Sequence, residues 1–203
     1  MIVNNVDTSV CFSARKIGSI NALKYKKDGR FVSQKLNLLE IDTSKTSDMM
    51  CIDSINQNWK KENKKLKNDS NYYLSDIYNV ALKKYEQKKG LSEYYNNVQI
   101  FAVTKQKFLL NFLNPKKICA IAQMRIADMD IPMLDFIQVK PKYQHANPNR
   151  KIKNIGAGFL EKLSVLTNHK KYGLFTDSKS KEFYKHYGAY PDENWNERFY
   201  VYG

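Results

Sequence analysis

Three groups of residues in the last third of the chain have the types and spacing that chemistry needs. Tyr184 stands in the run Glu182-Phe183-Tyr184-Lys185-His186-Tyr187-Gly188-Ala189. A phenol, with a pKa near 10, can donate a proton to a basic leaving group. Asp135 lies within the apolar run MLDFIQV and is a carboxylate able to take a proton. Strict strand alternation puts it on the same face as Val139, four residues on. The third group is the stretch over residues 140–160. There Asn154, Ile155, Gly156 and Ala157 open a helix, where backbone N–H groups lack intrahelical partners and the helix dipole is positive. Gly156 and Gly158 remove side chains at that point, and Lys140, Lys142, Arg150, Lys151 and Lys153 add positive charge. A phosphate fits such a place. Each group also has a plainer reading: Tyr184 as a packing aromatic, Asp135 as a hydrogen-bonding carboxylate, the glycines as packing sites beside solvated lysines.

The elements that must position these residues follow from hydrophobic periodicity and its punctuation. The run 133–139 reads as a strand, 140–153 as a cationic connector and 155–167 as a helix. A strand over 174–177, a helix over 180–187 and a terminal strand over 198–202 complete the chain. Upstream, 32–41 reads as a strand, and helices are expected over 48–67 and 72–89. Strands over 98–104 and 117–126 form an antiparallel meander with 133–139. Residues 1–30 are weakly patterned. With no repeat and no Pro- or Ser-rich linker, one domain over 1–203 is expected.

Taken in order, the strand ending in Val139-Lys140-Pro141, the basic loop, the Ile-Gly helix start and the Phe183-Tyr184-x-x-Tyr187-Gly188 helix resemble the GCN5-related N-acetyltransferase (GNAT) superfamily. Its phosphate-binding pattern, [QR]-x-x-G-x-[GA], matches Lys151-Ile152-Lys153-Asn154-Ile155-Gly156. Lys151 stands in place of Gln or Arg, Asn154 replaces the first Gly, and the preceding loop is longer than usual. Asn tolerates left-handed geometry better than most residues, so the turn is expected to form. The resemblance implies a mixed α/β fold: a mostly antiparallel central sheet flanked by helices, its strands splayed at the acetyl-CoA site. It implies direct acetyl transfer from acetyl-CoA to an amine, with no metal. Ile137, Gln138, Val139, Lys151, Lys153, Asn154, Ile155, Gly156, Ala157 and Gly158 would then contact the cofactor. A backbone N–H within 137–139 would hold the oxyanion, Tyr184 would be the general acid and Asp135 the base, with Asp128 and Asp130 next in line. The two upstream helices would shape the acceptor site.

Length and composition set the outer limits. The chain has 203 residues, 42% of them hydrophobic and 13% aromatic, which suits a cored globular protein. No apolar run approaches the roughly 20 residues that cross a bilayer, so no membrane role is expected. Cys11, Cys51 and Cys119 are odd in number and far apart, which speaks against a disulfide framework or zinc site. A reducing, cytoplasmic location is expected, and no secretory signal is recognisable. The net charge of +14 favours anionic partners, though it is Lys-dominated and partly a matter of base composition. The acceptor expected is a small amine, a protein amine or an aminoacyl-tRNA; RNA is admitted by the charge, and a homodimer is not excluded. Against these stands a binding module, a catalytically silent GNAT-like fold that holds nucleic acid or protein.

Overall fold

The computed structural model describes residues 11–12, 14–66, 73–86, 97–106, 112–126, 131–145, 147–166, 171–176, 180–192 and 199–202. Short strands β1 (Cys11–Phe12) and β5 (Phe112–Leu113) pair with each other. The main sheet holds β2 (Arg15–Tyr25), β3 (Phe31–Ile41), β4 (Val98–Thr104), β6 (Ile118–Arg125), β7 (Met133–Val139), β8 (Ile152–Lys153), β9 (Tyr172–Phe175), β10 (Tyr190–Pro191) and β11 (Phe199–Tyr202). Among the described residues its order is β10-β11-β9-β7-β6-β4-β3-β2-β8. Every neighbouring pair is antiparallel except β7 with β9. The helices are α1 (Thr46–Lys65), α2 (Leu74–Glu86), α3 (Ile155–Leu166) and α4 (Lys181–His186).

The β4-β6-β7 meander is the one the periodicity implies, and the mixed, mostly antiparallel sheet flanked by helices is the one the resemblance implies. β4 and β6 are buried along nearly their whole length, which is why they read as continuous apolar runs and not as alternating ones. Their alternate residues supply two cores. Phe101, Val103, Ala120 and Ala122 face Ile155, Phe159, Leu160 and Leu163 of α3. Ile100, Ala102 and Ile121 face Ile52, Ile55 and Trp59 of α1 and Leu74, Ile77 and Ala81 of α2. Helices thus cover both faces, with the apolar stripes of α1 and α2 at the spacing a core-facing helix needs.

One expectation fails at the N-terminal end. Residues 15–25, within the segment read as weakly patterned, form an eleven-residue strand paired with β3 over ten positions. Only Ile20 and Ala22 along it are buried, so its apolar signal is too thin to stand out. Among the described residues β4 pairs only with residues 37–41 of β3, and the outer half of the β2–β3 hairpin is flanked by β8 alone, at Leu23 and Lys24.

Candidate functional site

Among the described residues the sheet parts in the second half of β7, where β9 pairs with it only at Met133↔Gly173 and Leu134↔Leu174. On the other side the ladder to β6 continues as far as Ala120↔Val139, and the Lys140 N–H donates to the Cys119 carbonyl at 2.8 Å. In an antiparallel ladder successive residues turn their main-chain groups alternately towards and away from the partner strand. With Lys140 and Gln138 turned to β6, the N–H groups of Ile137 and Val139 point into the gap. The Val139 carbonyl is capped by the side-chain amides of Gln144, at 2.9 Å, and Gln138, at 3.2 Å.

Gln138 itself is turned away from the gap. Its side chain is 4% exposed, and its Oε1 accepts from the Tyr73 N–H at 3.1 Å. The expected cofactor contact at Gln138 is therefore replaced by a link to the start of α2.

Asp135 is where strict alternation fails. Leu134 pairs with Met124 and Phe136 with Gln123, which leaves Asp135 as the extra residue of a β-bulge. The bulge turns Asp135 to the face of Phe136, which packs on the α1/α2 core, and away from the face of Val139, which packs on the α3 core. There its carboxylate accepts from Gln123 Nε2 at 3.0 Å and from Arg125 Nε at 2.9 Å, and pairs with Arg125 Nη2 at 2.8 Å. A carboxylate held by these fixed donors is a structural tie, and the face expected for it is corrected. Arg125 gives no hint in the sequence of this role, because the bulge that brings it to Asp135 is a property of the register. Asp128 and Asp130 lie outside the described residues.

The start of α3 forms as its sequence implies. Asn154, at φ 61°, is the one non-glycine residue with positive φ among those described, and occupies the left-handed position that Gly takes in the pattern. Its carbonyl accepts from the Gly158 N–H at 3.0 Å, which makes Asn154 the N-cap. The amides of Ile155, Gly156 and Ala157 therefore precede the first intrahelical bond, whereas that of Gly158 is committed to it. The two glycines differ in what they allow. A Cβ on Gly156 would stand 3.3 Å from Phe183 Cζ and 4.0 Å from Val139 Cγ2. The helix start, the end of β7 and the aromatic face of α4 thus converge on Gly156. A Cβ on Gly158 would fall 2.4 Å from the backbone oxygen of Asn21, so this glycine serves helix–strand packing.

Most of the cations expected around the helix start are otherwise engaged. Lys140 is buried, with Nζ 3.3 Å from the Lys116 carbonyl and 3.8 Å from the Glu62 carboxylate on α1; burial, then the Lys142 charge, lowers its pKa. Arg150 donates to the His145 and Asn147 carbonyls and braces its own loop. Lys142 lies over the Tyr143 ring, and Lys153 Nζ sits 4.1 Å from the centre of the Phe31 ring. Lys151 is exposed, and its carbonyl accepts from the Tyr25 N–H.

Tyr184 is 8% exposed and belongs to the core shared by α3 and β7, against which Ile137, Val139 and Tyr187 also pack. Phe183 adjoins both Tyr184 (centroids 5.2 Å apart) and Tyr187 (4.9 Å). Gly188, at φ 93°, closes α4, and the Ala189 N–H returns to the Tyr184 carbonyl at 3.0 Å, as in a glycine C-cap. Cys119 is buried, and burial pushes its thiol up to about 11, so it is protonated and no nucleophile. His145 and His186 are exposed. Among the described residues no cluster of His, Cys, Asp and Glu is arranged to hold a metal, and no helix is long and apolar enough to cross a membrane.

A separate cleft of about 560 Å³ lies at the other end of the sheet, lined among others by Arg15, Glu40, Asp42, Lys84 and Gln99. Its charges are matched internally: Arg15 pairs with Glu40 at 2.6 Å, and Lys84 Nζ donates to the Val98 carbonyl.

No family model matches the sequence, and no curated protein matches it. Among solved structures, a GNAT-family acetyltransferase from Staphylococcus aureus Mu50 overlays with a TM-score of 0.46 at 14% identity, covering 82% of this chain and 97% of the other. A GNAT-family acetyltransferase from Listeria monocytogenes 4b F2365 gives 0.45 at 13% identity, with 83% and 93% covered. The KacTA–DNA complex gives 0.39 at 12% identity, with 63% and 79% covered. The likeness is to the course of the chain alone and carries no argument about reaction or partner.

Proposed function

We propose that the chain is an acetyl-CoA-dependent N-acetyltransferase of the GNAT type, a single cytoplasmic domain that passes an acetyl group directly to an amine. The observation that carries this reading is the convergence on Gly156. A helix start with three N–H groups ahead of its first intrahelical bond meets a strand end whose amides face a gap among the described strands. The Ile155, Gly156 and Ala157 amides suit a pyrophosphate, and the gap beside β7 suits an extended thioester arm. Lys151, exposed beside that start, adds charge.

In this reading the Ile137 and Val139 N–H groups hold the thioester and its oxyanion. The neutral amine forms the C–N bond, the carbonyl oxygen takes the negative charge against the amides, and the nitrogen's surplus proton goes to water. The C–S bond then breaks with its electrons on sulfur, and Tyr184 supplies the proton that makes the free thiol. Asp135 positions the bulge through Arg125 and Gln123 and takes no proton. The amine arrives over the α1/α2 face, where Phe136 stacks on Tyr73 at 5.6 Å.

The test is thermal unfolding with and without acetyl-CoA, followed by free-thiol release over a panel of amines. A ligand at 100 times its Kd stabilises the native state by about 2.7 kcal/mol, and Gly156→Asp, which puts a carboxylate where a phosphate would sit, should abolish the shift. No shift at millimolar acetyl-CoA would sink the proposal and leave the silent binding module as the better reading.

A further inference from the structure

The outer half of the β2–β3 hairpin carries a surface that the transfer reaction does not use. Tyr25 and Phe31 face each other across the strands, 44% and 38% exposed, with ring centroids 5.1 Å apart. Lys153 Nζ stands 4.1 Å over the Phe31 ring. The turn between them is closed by Lys26 N–H to Arg30 O at 2.9 Å, with Gly29 at φ 85°. Lys26, Lys27 and Lys35 are exposed around the pair, and among the described residues none of these three has an ion-pair partner. The only acid between residues 23 and 35 is Asp28, and it is bonded to Arg30 at 2.9 Å.

Strand alternation separates this surface from the proposed cofactor site. Ile20, Ala22 and Ile152 point into the core against α3. The register then puts Tyr25, Phe31, Lys35 and Lys153 on the opposite, open face of the same hairpin. A pyrophosphate at the helix start lies behind the sheet from the aromatic pair. Two exposed rings in contact, tilted 54° to each other and ringed by unneutralised ammonium groups, have the chemistry that holds a flexible polyanion with flat bases: rings for unpaired bases, lysines for phosphates. A lipid surface would call for aliphatic residues beside the cations, and an acidic protein would have no use for the paired rings.

We propose that this hairpin face binds single-stranded nucleic acid, by stacking unpaired bases on Tyr25 and Phe31 while the surrounding lysines track the backbone. The plainer function of the aromatic pair is to close the hairpin, since cross-strand aromatic pairs stabilise sheets. The experiment separates the two roles. Binding of fluorescent twelve-nucleotide single-stranded RNA and DNA and of a matched duplex is followed by anisotropy across salt concentrations. The full chain is compared with a Tyr25→Leu/Phe31→Leu variant and a Lys26→Ala/Lys27→Ala/Lys35→Ala variant. Leucine keeps an apolar closure, and thermal unfolding of each variant reports whether the hairpin is intact.

The wild type should prefer single strands to duplex. The leucine variant should lose on the order of ten-fold or more in affinity at every salt concentration, with its unfolding temperature nearly unchanged. The lysine variant should reduce the salt slope by roughly 2, at about 0.7 per phosphate contact on a single strand. Duplex bound as well as single strand, or wild-type affinity in the leucine variant, would overturn the proposal and leave charge alone. Displacement of the oligonucleotide by coenzyme A would also overturn it, by placing the cofactor's own nucleotide on this face. Loss of binding only in step with loss of unfolding temperature would return the rings to closing the hairpin.

Discussion

Gly158 and Gly156 stand two residues apart at the start of one helix, and their substitution should separate packing from ligand binding. A Cβ at Gly158 would lie 2.4 Å from the Asn21 carbonyl oxygen, where about 3.4 Å is ordinary contact. Neither partner can rotate away, since one is a helix backbone and the other a strand backbone; α3 and β2 must separate by most of an ångström. Overpacking of this kind costs about 3 kcal/mol at the upper end of its usual range. Alanine returns about 1 kcal/mol through helix propensity. The net loss in Gly158→Ala is then about 2 kcal/mol, or a Tm lower by roughly 4–8 °C for a chain of this size. At Gly156 the nearest atom is the ζ carbon of the exposed Phe183 ring, at 3.3 Å, which yields by a few tenths of an ångström. Gly156→Ala should therefore melt within about 0.5 kcal/mol of the wild type while narrowing the space above the α3 amides, so that it weakens acetyl-CoA binding. Differential scanning calorimetry with and without acetyl-CoA reads both quantities. Equal Tm values for Gly158→Ala and wild type would refute the packing argument, and a Gly156→Ala protein that is unstable yet binds normally would reverse the two roles.

Tyr184→Phe should lower kcat by roughly 10²–10⁴-fold with acetyl-CoA affinity retained, as measured by thiol release and calorimetry; wild-type turnover would return Tyr184 to core packing. Asp135→Asn, which leaves Arg125 without its carboxylate, should lower stability by about 3 kcal/mol in denaturant titration, whereas removing both charges in Arg125→Met/Asp135→Leu should recover much of it. Equal losses in both variants would argue against the ion pair. Lys140 carries a folded-state pKa lowered by burial, so between that value and the unfolded one near 10.5 the unfolded chain binds more protons and stability rises with pH. Lys140→Met should accordingly gain most over the wild type at neutral pH, with the advantage shrinking towards pH 10.5; an advantage independent of pH would count against the burial cost.

The parts of the fold legible in the sequence were those with strong periodicity. The meander of β4, β6 and β7, the apolar stripes of α1 and α2, and the start of α3 at Ile155 all lie close to where the pattern puts them. β2 was not legible, because a strand that turns one polar face to solvent and buries only Ile20 and Ala22 leaves little contrast. At the site, the left-handed Asn154 followed from the geometry a glycine position demands. Asp135 was misplaced because a single bulge residue reverses the facing of everything before it, and nothing in MLDFIQV marks where it falls; Gln138, beyond the bulge, is turned from the gap by the plain alternation that sets it opposite Val139. The dispersal of the connector's cations was likewise invisible, since Glu62, Lys116 and Phe31 meet Lys140 and Lys153 only after folding. The aromatic pair on the hairpin tip is a product of register across a turn and has no local signature.

The two-residue join between β7 and β9 has a mechanical meaning. Among the described residues the backbone ladder across the sheet is two residues long there, and side-chain contact through Tyr172, Leu174, Tyr184 and Tyr200 in the shared core joins the C-terminal strands to the rest. Hydrogen-bond ladders resist shear steeply, whereas packed side chains slide and resettle. Along this seam the two sides of the sheet meet more through packing than through hydrogen bonds. Anything that lies along the seam and bonds to the amides on its edge works as a splint, stiffening residues far from those it touches.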